Sequence, residues 1–393
     1  MKIAIVHDWL ATYAGSERVV EQILALYPAA DLFTLFDFMA DGERSIIRRP
    51  AKTSFIQRLP FARTSYRSYL PLMPFAVERF DLSSYDLILS SSHAVAKGVR
   101  KRPDQTHVCY CHTPMRYAWD LREQYLRESG LDRGIKGMLA RTVLERIRRW
   151  DERTADRVDH FIANSRYIAE RIHRSYHRDA AVIYPPVDTD LFSLSPSKEE
   201  FYLAASRMVP YKRMDLIVEA FRLLPERKLV VIGDGPDLEK VKAKAGQNVE
   251  LLGYQPGEVL RGHLQRARAF LFAAEEDFGI LPVEAQACGT PVIAFGRGGV
   301  RETVIPLTGS KGQEEGARPL KPTGEFFLEQ TTASIVAAVR RFEEHSSDFD
   351  PAEIRLNAER FGQRRFRKEY GEFVARIVQE RPGRAPSANP DHA

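Results

Sequence analysis

A chain of 393 residues exceeds what a single ordinary hydrophobic core serves, and domain-size scaling divides it into two or three units, of which two is the simpler reading. Its 44% hydrophobic and 28% charged residues match the usage of soluble globular proteins and exclude a largely disordered chain, while three cysteines, Cys109, Cys111 and Cys288, are too few for a disulfide framework and fit a reducing cytoplasm. The net charge of +5, from 58 basic against 53 acidic residues, raises affinity for phosphates, nucleic acids and anionic lipids alike and selects none of them.

The opening run, Met-Lys-Ile-Ala-Ile-Val-His, lacks the basic segment, longer apolar stretch and small-residue cleavage site of a secretion signal, so none is expected. No stretch approaches the uninterrupted apolar length of a spanning helix, which leaves peripheral membrane contact only. Residues 2–7 read as a strand, 16–26 as a helix and 32–36 as a strand, the grammar of a βαβ unit. Beyond them Arg58, Arg63, Arg67 and Arg79 lie among Phe61, Tyr66, Tyr69, Leu70, Leu72, Met73 and Phe75. That mixture suits an anionic membrane surface or a lipid-phosphate acceptor, and it equally suits a loop whose apolar residues pack on the domain while its arginines are solvated.

Further strands are expected at 87–90, 107–111, 161–163 and 181–184, with helices at 131–157 and 167–176. The first of these helices repeats Ile135, Met138, Leu139, Val143, Leu144 and Ile147 at helical steps, with a basic face read as solvated. A doubly wound parallel sheet follows for residues 1–184. The prolines and serines of 185–200 mark a linker. The alternation then restarts over 201–360, with strands at 201–205, 229–232, 249–252, 269–273 and 291–295 and helices at 215–224, 238–245, 258–266 and 281–287 between them. Helices at 333–342 and 364–378 close the ordered chain; residues 361–380 are expected to pack back on the first domain, and the tail 381–393 to be disordered.

Two α/β domains joined by a linker leave a cleft, and such folds bind ligands outside the carboxyl ends of their strands. The richest strand-to-helix loop is 273–285. Glu276 stands in that loop and Glu284 about one turn inside the helix, with unpaired backbone amides near Gly279, Ile280 and Leu281 suited to a phosphate. Alone, two carboxylates at a helix start amount to stabilisation of the helix dipole. A second strand-to-helix loop supplies Arg207 and Lys212, a donor fork and a point charge suited to a diphosphate.

The order Arg207-x4-Lys212, Gly233-Asp-Gly235-Pro, Glu276-x7-Glu284 resembles the donor half of the family-four glycosyltransferases, and the similarity covers nearly the whole chain. It implies an α/β architecture of two Rossmann-like doubly wound domains facing a cleft, the GT-B fold. It further implies that Arg207 and Lys212 hold the donor's phosphates, that Glu284 holds its ribose, and that Glu276 contacts the transferred sugar near its reacting carbon. Backbone amides of Phe278, Gly279, Ile280 and Leu281 would complete the site. In the first domain Gly15, in the loop after the first strand, would let a diphosphate approach the backbone. Related enzymes often have two glycines there, where this chain has Ala14 and Gly15.

The string Cys109-Tyr-Cys-His-Thr-Pro-Met-Arg-Tyr-Ala-Trp-Asp120 is similar to a signature of bacterial mannosyltransferases of surface-polysaccharide synthesis, and implies that His112 points into the sugar pocket. The expectation is thus a retaining hexosyltransferase moving mannose from GDP-mannose to a lipid-linked or oligosaccharide acceptor, on the cytoplasmic side and in peripheral contact with anionic membrane. A UDP-sugar donor and a catalytically silent nucleotide-sugar-binding protein are the alternatives. No cofactor or metal is expected. Asp188-Thr-Asp190 and Asp348-Phe-Asp350 have the spacing of a metal-dependent transferase, but they lie in the linker and between helices. Neither a Walker loop nor a His-Glu-x-x-His pair occurs, and the basic residues form no nucleic-acid reading module.

Overall fold

The computed structural model describes residues 1–119, 122, 126–127, 133–195, 197–307 and 321–380. Asp120, the first two residues of the expected 131–157 helix and the tail 381–393 lie outside the described residues. Two compact units emerge. One comprises Met1–Asn164 and Ile168–Tyr184 with the chain from Arg364 onward; the other comprises Ser165–Tyr167 and Pro185–Gln363.

The first unit is built on seven parallel strands: β1 (Ile3–His7), β2 (Asp31–Thr34), β3 (Ala51–Thr53), β4 (Leu87–Ser92), β5 (Thr106–Cys111), β6 (His160–Ala163) and β7 (Ala180–Val182). Their order in the sheet is β3-β2-β1-β4-β5-β6-β7. Successive residues of β1 go to opposite faces. Ala4 and Val6 join a core with Phe33, Ile88, Leu144, Ile147 and Trp150, whereas Ile5 joins Val19, Val20, Leu89, Val108 and Tyr110. Both faces are covered, so β4 and β5 are buried along their whole length. The last helix, Gln363–Gln379, covers the second face with Phe366, Tyr370 and Val374. Opposite it the Gly134–Thr154 helix is anchored by Asp151, which pairs with buried Lys97 at 3.0 Å and accepts from Trp119 Nε1 at 2.8 Å and the Tyr176 hydroxyl at 2.7 Å. The two bonds to Oδ2 offset part of the cost of burying this charge pair.

Six parallel strands form the sheet of the second unit: β8 (Phe201–Ala205), β9 (Lys228–Ile232), β10 (Val249–Gly253), β11 (Ala269–Phe272), β12 (Val292–Phe295) and β13 (Gly324–Phe327). The order is β10-β9-β8-β11-β12-β13. Each sheet therefore reverses its strand order once, between β1 and β4 and between β8 and β11, and the crevice outside the carboxyl ends at such a reversal is where Rossmann-like folds take ligands. Both units are Rossmann-like and doubly wound, as the alternation of strand and helix patterns implied.

Several expectations are corrected. The segment around Arg58 to Arg79 is not a loop but a chain of short helical turns over Phe55–Arg58, Ala62–Ser65, Tyr66–Leu72 and Met73–Val77. Leu70 and Met73 are buried there, whereas Phe61, Leu72 and Phe75 are exposed. The apolar stripe of the Gly134–Thr154 helix divides as well: Leu144 and Ile147 enter the core, but Ile135, Met138 and Leu139 face solvent. Gly15 opens the Gly15–Leu26 helix and does not stand in a loop. Strands β3 and β13, segments of three and four residues at sheet edges, went unread. Asp350 caps the Pro351–Glu359 helix by accepting from Ala352 N at 3.0 Å, an ordinary structural use of that carboxylate.

Candidate active site

In the second unit the residues singled out from the sequence collect on loops after β8 and β11. The loop after β8 is held by the Gly233-Asp-Gly235 turn: Ser206 N donates to Ile232 O at 3.1 Å and Met208 N to Asp234 O at 2.8 Å. Gly233 and Gly235 have φ of +139° and +152°, and a Cβ on either would collide with the carbonyl of Ser206 or Met208. Only glycine permits that backbone approach. Arg207 is exposed at the end of this loop, and Lys212 ends a short 3₁₀ turn, Pro210–Lys212. Arg213, in the left-handed region at φ 54°, then turns the chain into the Met214–Phe221 helix.

Lys212 and Glu276 meet as an ion pair, with side chains 16% and 19% exposed. The backbone of Glu276 is fixed by a feature that sequence reasoning passed over, the glycine turn after β12. Glu276 forms an isolated parallel bridge with Gly298, and Gly299 N donates to Glu276 O at 2.8 Å. Gly298 has φ +76°, and a Cβ there would strike the Glu276 carbonyl. Three glycines in four residues directly after an apolar strand, Gly296, Gly298 and Gly299, were the available signal.

Phe278 turns its ring inward against Phe361, centroids 5.5 Å apart, so that it offers backbone and not side chain. Gly279, at φ +87°, is the N-cap of the Ile280–Ala287 helix and carries no capping side chain. The amides of Ile280 and Leu281 have no intrahelical acceptor, and Pro282 spends its missing N–H inside the same first turn. Glu284 lies on the fifth residue of that helix and is buried. Two acceptor-less amides and a lysine beside a carboxylate give this edge the chemistry of an anion site with a carboxylate at its margin.

In the first unit His112 directly follows β5, and near it, at the reversal between β1 and β4, gathers a polar cluster that includes Ser91 and His93 of the run 90–98, which belongs to the same resemblance but received no role from the sequence. Asp8 is fully buried and accepts from the amides of His93, Ala94, Val95 and Ala96 at 2.6, 2.9, 2.6 and 2.6 Å. His7 reaches Glu17 with Nε2 at 3.3 Å and Ser91 with Nδ1, at 3.1 Å to its carbonyl and 3.2 Å to its hydroxyl. Ser91 Oγ lies 2.8 Å from His112 Nε2. Glu17 also accepts from Ala14 N at 3.1 Å, which fixes the entry to the helix that Gly15 opens.

These groups titrate differently. Burial pulls His7 down, but the hydrogen bond and charge of Glu17 and the charge of Asp8 outweigh it and leave His7 above its ordinary value. Burial would raise Glu17, yet its bond to His7 leaves it lowered. His112 is held well below the ordinary histidine value, by burial first and then by the charges of His93 and His7. It is neutral at neutral pH.

A family model described as Glycosyltransferase Family 4 matches residues 13–191, and one described as Glycosyl transferases group 1 matches residues 189–348. Among curated relatives, the chain is 31% identical over 198 residues to a GDP-mannose-dependent alpha-(1-6)-phosphatidylinositol monomannoside mannosyltransferase of Mycolicibacterium smegmatis, covering 42% of this chain and 50% of that one. It is 29% identical over 175 residues to a D-inositol 3-phosphate glycosyltransferase of Mycobacteroides abscessus, covering 38% and 40%. The chain thus spans half or less of the length of these relatives. Of solved structures, Anabaena HepE in complex with UDP superposes with a TM-score of 0.65 at 17% identity, over 96% of this chain and all of that one, a likeness of fold.

Proposed function

Because the chain belongs to the family-four glycosyltransferases, with the two-domain Rossmann-like GT-B fold, we propose that it transfers a hexose, mannose from GDP-mannose, to a lipid-linked or oligosaccharide acceptor with retention of configuration. The observation that carries this reading is the pairing of Lys212 with Glu276 ahead of the helix-opening amides of Ile280 and Leu281, at the strand-order reversal of the second sheet. The GDP-mannose donor named for the Mycolicibacterium smegmatis relative supports the choice of donor.

In this reading the bond between the anomeric carbon and the diphosphate breaks, the acceptor oxygen bonds to the same face, and the acceptor's proton passes to the leaving phosphate. Arg207, Lys212 and the helix amides meet the negative charge that develops on the diphosphate, and need no reorganisation to do so. Glu276 steadies positive charge on the sugar and Glu284 anchors the ribose. Phe278, Gly279, Ile280 and Leu281 contribute backbone, Gly15 lies against the diphosphate, and His112 contacts the sugar. No metal or other cofactor takes part, since fixed cations and amides carry the diphosphate charge.

A lipid-linked acceptor is favoured by one face of the first unit. Phe61 and Ile135 are 80% and 81% exposed, and Phe75, Met138 and Leu139 are exposed with them. The Gly134–Thr154 helix runs beside the Tyr66–Leu72 turn, and Arg79 lies 4.3 Å from the Phe75 ring. Exposed apolar side chains with arginines suit the interface of an anionic bilayer, which the protein would approach peripherally from the cytoplasmic side. No helix among the described residues is long and apolar enough to cross a membrane.

The test is incubation of the purified chain with a panel of nucleotide sugars, scored for nucleotide release with and without lipid-linked acceptor. GDP-mannose is expected to give release that the acceptor accelerates. Tight UDP binding with negligible GDP binding would end the mannose reading, and donor binding without hydrolysis or transfer would establish a silent binding protein.

A further inference from the structure

The polar cluster of the first unit can be assigned hydrogen by hydrogen. His7 uses both ring nitrogens: Nε2 faces the Glu17 carboxylate at 3.3 Å, and Nδ1 faces the Ser91 carbonyl at 3.1 Å. Carboxylates and carbonyls only accept, so both nitrogens carry hydrogen and His7 is an imidazolium paired with Glu17. Its raised pKa and the lowered pKa of Glu17 agree with that assignment. Ser91 Oγ, 3.2 Å from the same Nδ1, meets an N–H and can only accept there. The single hydrogen of Ser91 is then free to be donated to His112 Nε2, 2.8 Å away.

We infer that Glu17, His7 and Ser91 form a positioning relay that fixes His112 as the neutral Nδ1–H tautomer, so that His112 meets its substrate as a hydrogen-bond donor and not as a base. Nε2 is the lone-pair nitrogen of that tautomer, and Ser91 occupies it. The backbone on either side of the ring is held too: His112 N donates to Ser92 O at 2.8 Å, and Asn164 Nδ2 to His112 O at 3.0 Å. The Tyr110 ring packs 5.1 Å from the imidazole and His93 lies 6.3 Å away; His7 and His93 act on His112 directly, and Glu17 and Asp8 act on those two.

The substrate half of this inference rests on the glycosyltransferase reading. There the Nδ1–H is matched to a hydroxyl oxygen of the transferred hexose, and removal of the acceptor's proton is left to the leaving phosphate. The relay itself is a property of the first unit.

The experiment is long-range proton–nitrogen correlation on the full chain labelled with ¹⁵N-histidine, which shows which ring nitrogen bears hydrogen; His112→Asn assigns the His112 signals. Near neutral pH, His112 is expected to be protonated at Nδ1 alone and His7 at both nitrogens. Ser91→Ala is expected to turn His112 into a mixture of tautomers, and the nearly isosteric Glu17→Gln to remove one proton from His7. Protonation of wild-type His112 at Nε2, or a tautomer indifferent to Ser91→Ala, would overturn the relay. In transfer assays Ser91→Ala is expected to lower kcat about tenfold with little change in donor KM. If the wild-type chain transfers no sugar, the functional reading fails, and the nitrogen spectra still decide the relay.

Discussion

Lys212 and Glu276 form an ion pair between two loops that leave different strands, β8 and β11, where the second sheet reverses its order. The pair is largely shielded from water, so its attraction is offset by the cost of desolvating both charges and it adds little to stability. Its consequence is chemical: in the proposed reaction Lys212 would meet the donor's diphosphate and Glu276 the sugar that diphosphate carries.

Lys212→Met should weaken GDP-mannose binding by about ten- to a hundredfold, the value of one charge-assisted hydrogen bond. Glu276→Gln should leave binding nearly intact and lower kcat by about 10²- to 10³-fold, as removal of a group that stabilises transition-state charge does. Calorimetry for the first and steady-state transfer for the second separate the two roles. Equal loss of binding in both variants would remove the distinction drawn here.

Gly298→Ala probes the support beneath Glu276. At φ +76°, with the Glu276 carbonyl in the path of a Cβ, alanine must shift one loop or the other. We expect a stability loss of about 1–2 kcal/mol and a fall in kcat larger than the change in donor affinity. Urea unfolding beside kinetics would show it; wild-type kcat in this variant would mean that the glycine turn does not position the carboxylate.

The pH dependence of stability has a definite sign at His107. Its Nε2 lies 2.7 Å from Ser90 Oγ and its Nδ1 3.3 Å from Arg157 O, and burial pushes it down to about 4 from an ordinary 6.5. Because the unfolded chain binds this proton more readily than the folded one, stability falls as pH drops from 6.5 towards 4. The loss is on the order of 3 kcal/mol across that window. His93 and His112 act in the same direction, while His7, with a raised pKa, opposes them. Urea midpoints should therefore decline through this range, and less steeply in His107→Gln. An unchanged slope would place the acid sensitivity elsewhere.

The exposed apolar face of the first unit makes a prediction that can be read without substrate. Ile135→Ser with Leu139→Ser should abolish sedimentation with anionic vesicles and leave thermal unfolding unchanged, since both side chains are already in water. Neutral vesicles, or raised salt, should weaken binding of the wild type. Vesicle binding that survives the double substitution would assign this face to another partner.

What could be read in advance follows the range of the interactions. Strand and helix periodicities are local, and their bounds in β1, β4, β5 and β8 lie within two residues of those expected. Lys212 and Glu276 were legible because each stands in a loop between an apolar strand and a helix, where the fold class puts ligands. The buried cluster was not. His7 and Ser91 are separated by 84 residues, and nothing near either one marks it as polar core until β1 pairs with β4. The glycine turn at 296–299 was hidden for the same reason: its meaning is a backbone contact with Glu276, made only after β11 and β12 are side by side. Ile135, Met138 and Leu139 carried a core-like spacing, and spacing alone does not say where a core ends.

The last helix gives the first unit a timetable. Ile5, Val19, Leu89, Val108 and Tyr110 precede the second unit in the chain, but the residues that cover them, Phe366, Tyr370 and Val374, are made only after it. At about 5–20 residues per second, that apolar face waits on the order of tens of seconds on the ribosome without its lid. The amino-terminal unit therefore cannot finish ahead of the carboxyl-terminal one, although its strands emerge first. A nascent chain stalled before Arg364 would leave that apolar face exposed to water, the condition under which partly folded chains aggregate.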